Sequence, residues 1–305
     1  MAAGTPPPVG GPWTSSRWVA GADGLRLAVH EAGDPDRPMV LLVHGYPDDH
    51  AVWDLVAEHL RADHRLVAYD VRGAGASAVP ADRRGYRVDR LVADLAAVID
   101  AVSPEEPVHL VAHDWGSIQS WSAVIDPAVA DRIATFTSIS GPGLDHVSAW
   151  VRARRSPGGG RWRQLLRQGS RSWYVALFQT PLPARGWRLV AKRWRWAMEQ
   201  REAAATDDRW PSPNLLADAV HGLELYRANA KGPRIRPGTR RASARVLVLI
   251  PLDDPYVTPA LWEGIERFAP DLRRVEVPGK HWLPRSQPRV VADAVAAHVA
   301  GGDGR

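Results

Sequence analysis

The sequence predicts an α/β protein, a mostly parallel doubly wound sheet with helices on both faces, interrupted by one long helical insertion. Three observations carry that expectation. Short apolar runs that end in glycine or a turn, "PMVLLVHG" (38–45) and "VLVLI" (246–250), suit strands buried on both faces. Such runs alternate with segments whose apolar residues recur at helical spacing, which is the rhythm of a wound parallel sheet. The rhythm stops at "GPG" (Gly141 to Gly143) and resumes about a hundred residues later at "ARVLVLIPLDDP" (244–255).

Taken in order, "RWVAGADGLRLAVHEAG" (17–33) reads as two strands around a glycine turn, with Leu25, Leu27 and Val29 alternating against Arg26 and Ala28. "PMVLLVHG" is the next strand, and "HAVWDLVAEHL" (50–60) is a helix with Val52, Leu55, Val56 and Leu60 on one face. "HRLVAYDVRG" (64–73) is a strand, "RLVADLAAVIDAV" (90–102) a helix, "PVHLVAHDWG" (107–116) a strand running into a sharp turn, "IQSWSAVIDP" (118–127) a helix stopped by proline, and "IATFTSIS" (133–140) a strand. After the insertion come strand "ARVLVLIPLDDP", helix "PALWEGIERF" (259–268), strand "LRRVEVPG" (272–279) and helix "RVVADAVAAHV" (289–299). Inside it, "RWRQLLRQ", "RGWRLVAKRWRWAMEQ" and "NLLADAVHGLELYRAN" are all helical in pattern. The expected organisation is a disordered leader over 1–15, a core from 16–140 and 241–305, and a helical cap over 141–240.

Composition narrows the chemistry. The chain of 305 residues has no cysteine, which removes disulfides, thiolate zinc sites and thiol nucleophiles together. No apolar run approaches the ~20 residues of a membrane span, and the start lacks the basic and apolar regions of a signal peptide, so a cytoplasmic location is predicted. Net charge is +5, but residues 141–240 hold 19 Lys/Arg against 7 Asp/Glu, or +12, leaving −7 elsewhere. The eleven histidines show no metal-binding spacing, so neither metal nor organic cofactor is expected.

The stretch "VAHDWGS" (111–117) has the form of a catalytic elbow, small residues Ala112 and Gly116 flanking the apex, with Asp114 where a serine often stands. An aspartate at a strand-to-helix junction also caps helices, so the heptapeptide alone leaves a cap and a nucleophile open. Ser117 is excluded as the apex because Trp115 and Gln119 flank it. A carboxylate nucleophile needs an acid after a late strand and a histidine after the last one. "PLDDPYV" offers Asp253 and Asp254, with Asp254 favoured before Pro255, and "PGKHW" offers His281. "HGYP" follows the third strand, and the backbone N–H groups of Tyr46 and Trp115 would form an oxyanion hole. His44 and His113 read as structural rather than catalytic.

"HGYP", "DVRGAGAS", "AHDWGS", "DPYV" and "GKHW" together resemble the α/β-hydrolase fold epoxide hydrolases, across nearly the whole chain after the leader. The resemblance implies an aspartate nucleophile that forms an ester with the substrate and a His–Asp pair that activates water. It also implies two cap tyrosines: "SWYVALFQTP" resembles the first motif, with Tyr174 followed by Phe178 and Gln179, and "LELYRANA" the second, with Tyr226 followed by Arg227. Two phenols suit an epoxide, whose ring oxygen becomes negative as the C–O bond breaks, whereas a leaving halide has no such need. His44, Pro47, Trp115, Phe178 and Trp282 are the expected substrate-lining residues. Ala112 departs from the family's usual glycine. The wording of the cap is similar to the hydrolase part of bacterial fusions with a short-chain dehydrogenase, whose reductase part is not expected here.

The expected partners are a small epoxide and water, with no nucleic acid and a monomer or homodimer. Seven of fourteen tryptophans lie in the insertion, favouring an aromatic pocket for lipophilic or aryl epoxides. In "RGWRLVAKRWRW", Trp187, Val190 and Trp194 share one face of a basic amphipathic helix, open to weak contact with an anionic membrane, to acidic substrates, or to a solvated arginine face. Two rival functions are a haloalkane dehalogenase and a catalytically silent binding module on the same fold.

Overall fold

The computed structural model describes residues 5–155, 161–230 and 240–301. Its strands are β1 (Ser15–Ala20), β2 (Arg26–Ala32), β3 (Met39–Val43), β4 (Arg65–Tyr69), β5 (Val108–His113), β6 (Ile133–Ile139), β7 (Arg245–Pro251) and β8 (Leu272–Val277). They form one eight-stranded sheet in the order β1-β2-β4-β3-β5-β6-β7-β8, antiparallel across β1, β2 and β4 and parallel from β4 to β8. In β3 alternate residues serve opposite faces: Leu41 and Val43 join the apolar cluster on one side, Val40 and Leu42 the cluster on the other. All are fully buried, which is why the run is continuous instead of alternating.

The helices of the core are α1 (Asp54–Leu60), α2 (Val88–Val102), α3 (Trp115–Ala123), a single turn α9 (Leu283–Ser286) and α10 (Pro288–Val299). α1 packs with α10, and α2 with α3. The chain leaves β3 toward β4 on one side and reaches β5 on the other. The loops after β3 and β5 therefore diverge at the carboxyl ends of neighbouring strands, the crevice where open α/β sheets bind ligands.

Between β6 and β7 the described chain holds α4 (Leu144–Arg155), α5 (Trp162–Arg171), α6 (Trp173–Leu177), α7 (Leu182–Ala197) and α8 (Leu215–Asn229). Segments 156–160 and 231–239 of the predicted cap lie outside the described residues.

Two expectations are corrected. "PALWEGIERF" is two short 3-10 turns, because Gly264 between them adopts φ +86° and interrupts any α-helix. The leader packs from residue 5 on, since Trp13 is buried with its indole donating to Asp54 at 2.7 Å, and Trp18 donates to the Thr5 carbonyl. On α7 the expected shared face is observed: Trp187, Val190 and Trp194 all border one cavity, with Val190 45% exposed at its rim.

Candidate active site

Asp114 stands between β5 and α3 with φ 50° and ψ −121°, a backbone conformation that side-chain-bearing residues rarely adopt. Its surroundings are built of glycine. A Cβ on Gly116 would meet the Val43 carbonyl at 2.3 Å, one on Gly141 the Asp114 carbonyl at 2.1 Å, and one on Gly45 the Asp114 carboxylate at 2.5 Å. Three chain segments thus press close enough to hold the strained turn. Asp114 occupies the N-cap position of α3, yet its side chain caps nothing there. Instead its Oδ1 accepts the Tyr46 backbone N–H at 2.7 Å, and its Oδ2 faces His281 Nε2 at 3.5 Å. Trp115, the first residue of α3, has its N–H at the end of the helix where no intrahelical carbonyl is available.

His281 follows β8, and its Nδ1 meets Asp254 Oδ2 at 2.9 Å. Asp254 is fully buried, its Oδ1 accepting the N–H groups of Tyr256 (2.7 Å) and Val257 (2.9 Å). Asp253 is exposed, with its N–H on the Gly279 carbonyl, so the fold distinguishes two neighbouring acids that sequence left side by side. Burial opposes a charge on His281, but the carboxylates of Asp254 and Asp114 outweigh it and hold its pKa well above the ordinary histidine range. Burial likewise opposes ionisation of Asp114, and the hydrogen bond and charge of His281 override it, lowering that pKa.

A cavity of about 700 Å³ opens over these groups between the insertion and the sheet. Tyr46, Pro47, Phe178, Trp187, Trp194 and Trp282 are on its wall, together with Asp114, Tyr174 and Tyr226. The Tyr226 ring stands edge-on to Tyr46, Trp115 and Phe178, with centroids 4.9–5.3 Å away. Tyr174 is 6.0 Å from Tyr226. Both phenols are raised in pKa, first by burial and then by nearby negative or phenolic groups including Asp114, so they remain proton donors. Arg227, next to Tyr226, donates to the carbonyls of Phe178 (2.8 Å) and Thr180 (2.5 Å), tying α8 to the turn that follows Tyr174.

Two predicted lining residues lie elsewhere. His44 Nδ1 pairs with the Gly45 carbonyl at 3.0 Å and its Nε2 accepts the Val71 N–H at 2.8 Å, so the ring is consumed by backbone. It borders, with the Trp115 indole, a separate void of about 20 Å³. The Trp115 ring packs edge-on against Tyr226, with centroids 5.0 Å apart. His113 Nε2 bonds the His281 carbonyl at 3.0 Å, and burial followed by the His281 charge lowers its pKa to about 4. Ser117 Oγ donates to the Gly141 carbonyl at 2.8 Å and bonds Ser138, away from the cavity.

Three residues of the site were not singled out from sequence. Buried Glu202 accepts the His281 backbone N–H at 3.1 Å. Tyr256 presents its ring edge-on to His281 at 4.9 Å, and its place two residues after Asp254 was the available signal. Asp48 accepts the indole N–H groups of Trp210 and Trp282, both at 2.8 Å, and burial outweighs those bonds to push its pKa up to about 7. The "PDD" after "HGY" marked a polar turn but gave no hint of partners 162 and 234 residues away.

His30, His50 and Asp70 form a second cluster with the ligand types of a metal site. The two imidazoles are stacked, with centroids 3.5 Å apart and planes 14° from parallel. Ring-nitrogen lone pairs lie in the ring plane, so stacked rings cannot both point at one ion. Asp70 instead accepts from His50 Nδ1 (2.7 Å) and the backbone of His50 and Ala76, bracing the loops after β3 and β4.

No helix among the described residues is long and apolar enough to cross a membrane. The chain is 38% identical over 305 residues to the "Probable oxidoreductase EphD" of Mycobacterium tuberculosis, covering 95% of this chain and 50% of that protein. It therefore spans about half the length of that relative. It is 35% identical over 161 residues, 52% of this chain and 46% of the other, to "Epoxide hydrolase A" of the same organism. A crystal structure of the Bacillus megaterium epoxide hydrolase in complex with an inhibitor superposes with a TM-score of 0.74 over 93% of this chain and all of that one, at 20% identity, a likeness of fold. The model of the α/β hydrolase fold family matches residues 38–284, which include the elbow, both acids and His281, and the chain belongs to that family.

Proposed function

We propose that this chain opens epoxides to vicinal diols through an ester on Asp114. The observation that carries the reading is the division of labour at that carboxylate: Oδ1 sits on the Tyr46 N–H and Oδ2 lies 3.5 Å from His281 Nε2, with Asp114, His281 and both phenol-bearing residues lining one cavity. Tyr174 and Tyr226 hold the epoxide oxygen, Oδ2 attacks a ring carbon, the C–O bond breaks and one phenol supplies the proton. A hydroxyalkyl ester results.

Esterification removes the Asp114 charge, one of the two that keep His281 protonated, so the imidazolium gives its proton to solvent, to be regained when the Asp114 carboxylate is restored, and the neutral ring is a base when water must be activated. Asp254 fixes the ring. Water gives a proton to Nε2 and its oxygen to the Asp114 carboxyl carbon, with the developing oxyanion on Tyr46 N–H and Trp115 N–H. Collapse expels the diol oxygen, which takes the proton from His281, and the carboxyl proton returns to the phenolate. No metal or organic cofactor enters. The aromatic wall favours lipophilic or aryl epoxides, and the helices between β6 and β7 act as the cap.

Intact mass of a His281→Gln variant tests the reading. Exposed to aryl and fatty epoxides, it should gain the whole mass of the epoxide, and an Asp114→Asn variant should not. A gain of an alkyl group from haloalkanes alone would make the protein a dehalogenase. No adduct from either class would count against the substrate panel or against the enzyme assignment itself.

A further inference from the structure

Apolar side chains outside the cavity mark a second surface. On α7, Leu182, Leu189 and Trp196 are 60%, 69% and 55% exposed and recur every seven residues, nearly two helical turns, so they form a line along the outer side. This line is distinct from the inward Trp187 and Trp194. Across α5 and α6, Trp162, Leu166 and Trp173 are likewise exposed, at 56%, 62% and 64%.

The charge around these stripes has one sign. From Arg161 to Met198 the chain carries nine Lys/Arg and no Asp/Glu. Helical geometry puts Arg185 and Lys192 along one flank of the Leu182–Leu189–Trp196 line and Arg193 along the other. A second copy of the chain would bring cations against cations, which disfavours pairing. An anionic lipid surface accommodates both properties, with indoles at headgroup depth, leucines at the acyl boundary and cations on phosphates. Trp173 and Leu182 also line the 700 Å³ cavity, which places its mouth within the same surface.

The geometry points to a membrane-docking face: the outer sides of α5, α6 and α7 rest on an anionic bilayer, with the cavity mouth turned toward it. An apolar substrate then passes from the acyl layer to Asp114 without crossing water. Docking stands independently of the reaction proposed above, because its test reads binding alone.

The test is flotation of the protein with phosphatidylcholine vesicles, with and without one-third phosphatidylglycerol, using the double variant Leu189→Glu with Trp196→Glu, two positions off the cavity wall. Wild type should float with anionic vesicles roughly tenfold more than with neutral ones and release in about 0.5 M salt, and the double variant should lose roughly tenfold. Unchanged thermal unfolding shows that the variant folds; Arg185→Glu with Arg193→Glu serves as a second variant with the same expected loss. Equal binding to neutral vesicles, no flotation of wild type, or full binding by both variants would overturn the proposal. So would a solution dimer that Leu189→Glu with Trp196→Glu dissociates while wild type ignores vesicles, since the face would then join two copies.

Discussion

In the sheet, β3 buries all five of its residues and β7 six of seven, whereas in the insertion α6 buries none and α5 only Gln168. The two regions are held differently. Strands are fixed by backbone pairing and by apolar clusters on both faces. The insertion is fastened by side-chain hydrogen bonds to loops: Gln168 to Tyr256 and Thr258, Arg154 to Glu263, Asn229 to Tyr86 and Val88. The strained elbow and the His281–Asp254 pair belong to the rigid region, Tyr174 belongs to the sparsely buried α6, and Tyr226 sits on α8, which joins the same apolar cluster as the sheet. Rigid strand ends set the geometry of Asp114, while α5 and α6, with few buried contacts, are the helices best able to move over the cavity.

That contrast can be broken at several points. The largest effect is expected at the elbow: Asp114→Asn should lower diol formation by roughly 10⁴-fold or more, measured as turnover of an aryl epoxide. In the insertion, Tyr174→Phe and Tyr226→Phe should each cost about 10²-fold, because the remaining phenol still donates, and the double variant should approach the Asp114→Asn level. If either single variant equals Asp114→Asn, the cap is as exacting as the sheet.

Stability should respond in the same order. Gly116→Ala drives a methyl into the Val43 carbonyl, and urea unfolding should show a loss of about 2–3 kcal/mol. The pH dependence of stability sharpens the same point. Because His281 has a raised pKa in the fold, its contribution is complete below the unfolded value near 6.5 and fades as pH rises through the folded value. The stability difference between wild type and His281→Gln should therefore be larger at pH 6 than at high pH; a difference that grew with pH would refute the charge balance described here. The smallest effect is expected at exposed Trp196, where Trp196→Ser should move unfolding by less than about 0.5 kcal/mol.

Much of the fold could be read from the chain because apolar period and glycine punctuation reflect local sterics. The strand at "PMVLLVHG" and the turn at "AHDWGS" needed no partner to be recognised. "PALWEGIERF" misled because Leu261, Trp262 and Ile265 have helical spacing while Gly264 adopts a backbone conformation that periodicity does not reveal. Trp13 shows the same limit, since a proline-rich leader conceals an indole whose acceptor, Asp54, lies 41 residues on. In the site, the order Asp114, Asp254, His281 was legible from motifs, but His44 was counted as lining because its neighbours Tyr46 and Pro47 are.

By itself the sequence determined the alternation of elements, the place of the insertion, its basic and aromatic composition, and the residue types able to do carboxylate chemistry. These follow from hydrophobic period, turn residues and chain order, all local properties. Tertiary structure alone decided that Asp253, beside the favoured Asp254, is turned to solvent, that Glu202 and Asp48 join the site's support, and that α7 presents one apolar face to the cavity and another to solvent. Each of those depends on where distant segments lie in space, and a one-residue step along a loop or a 100° step around a helix changes the answer while the local pattern stays the same.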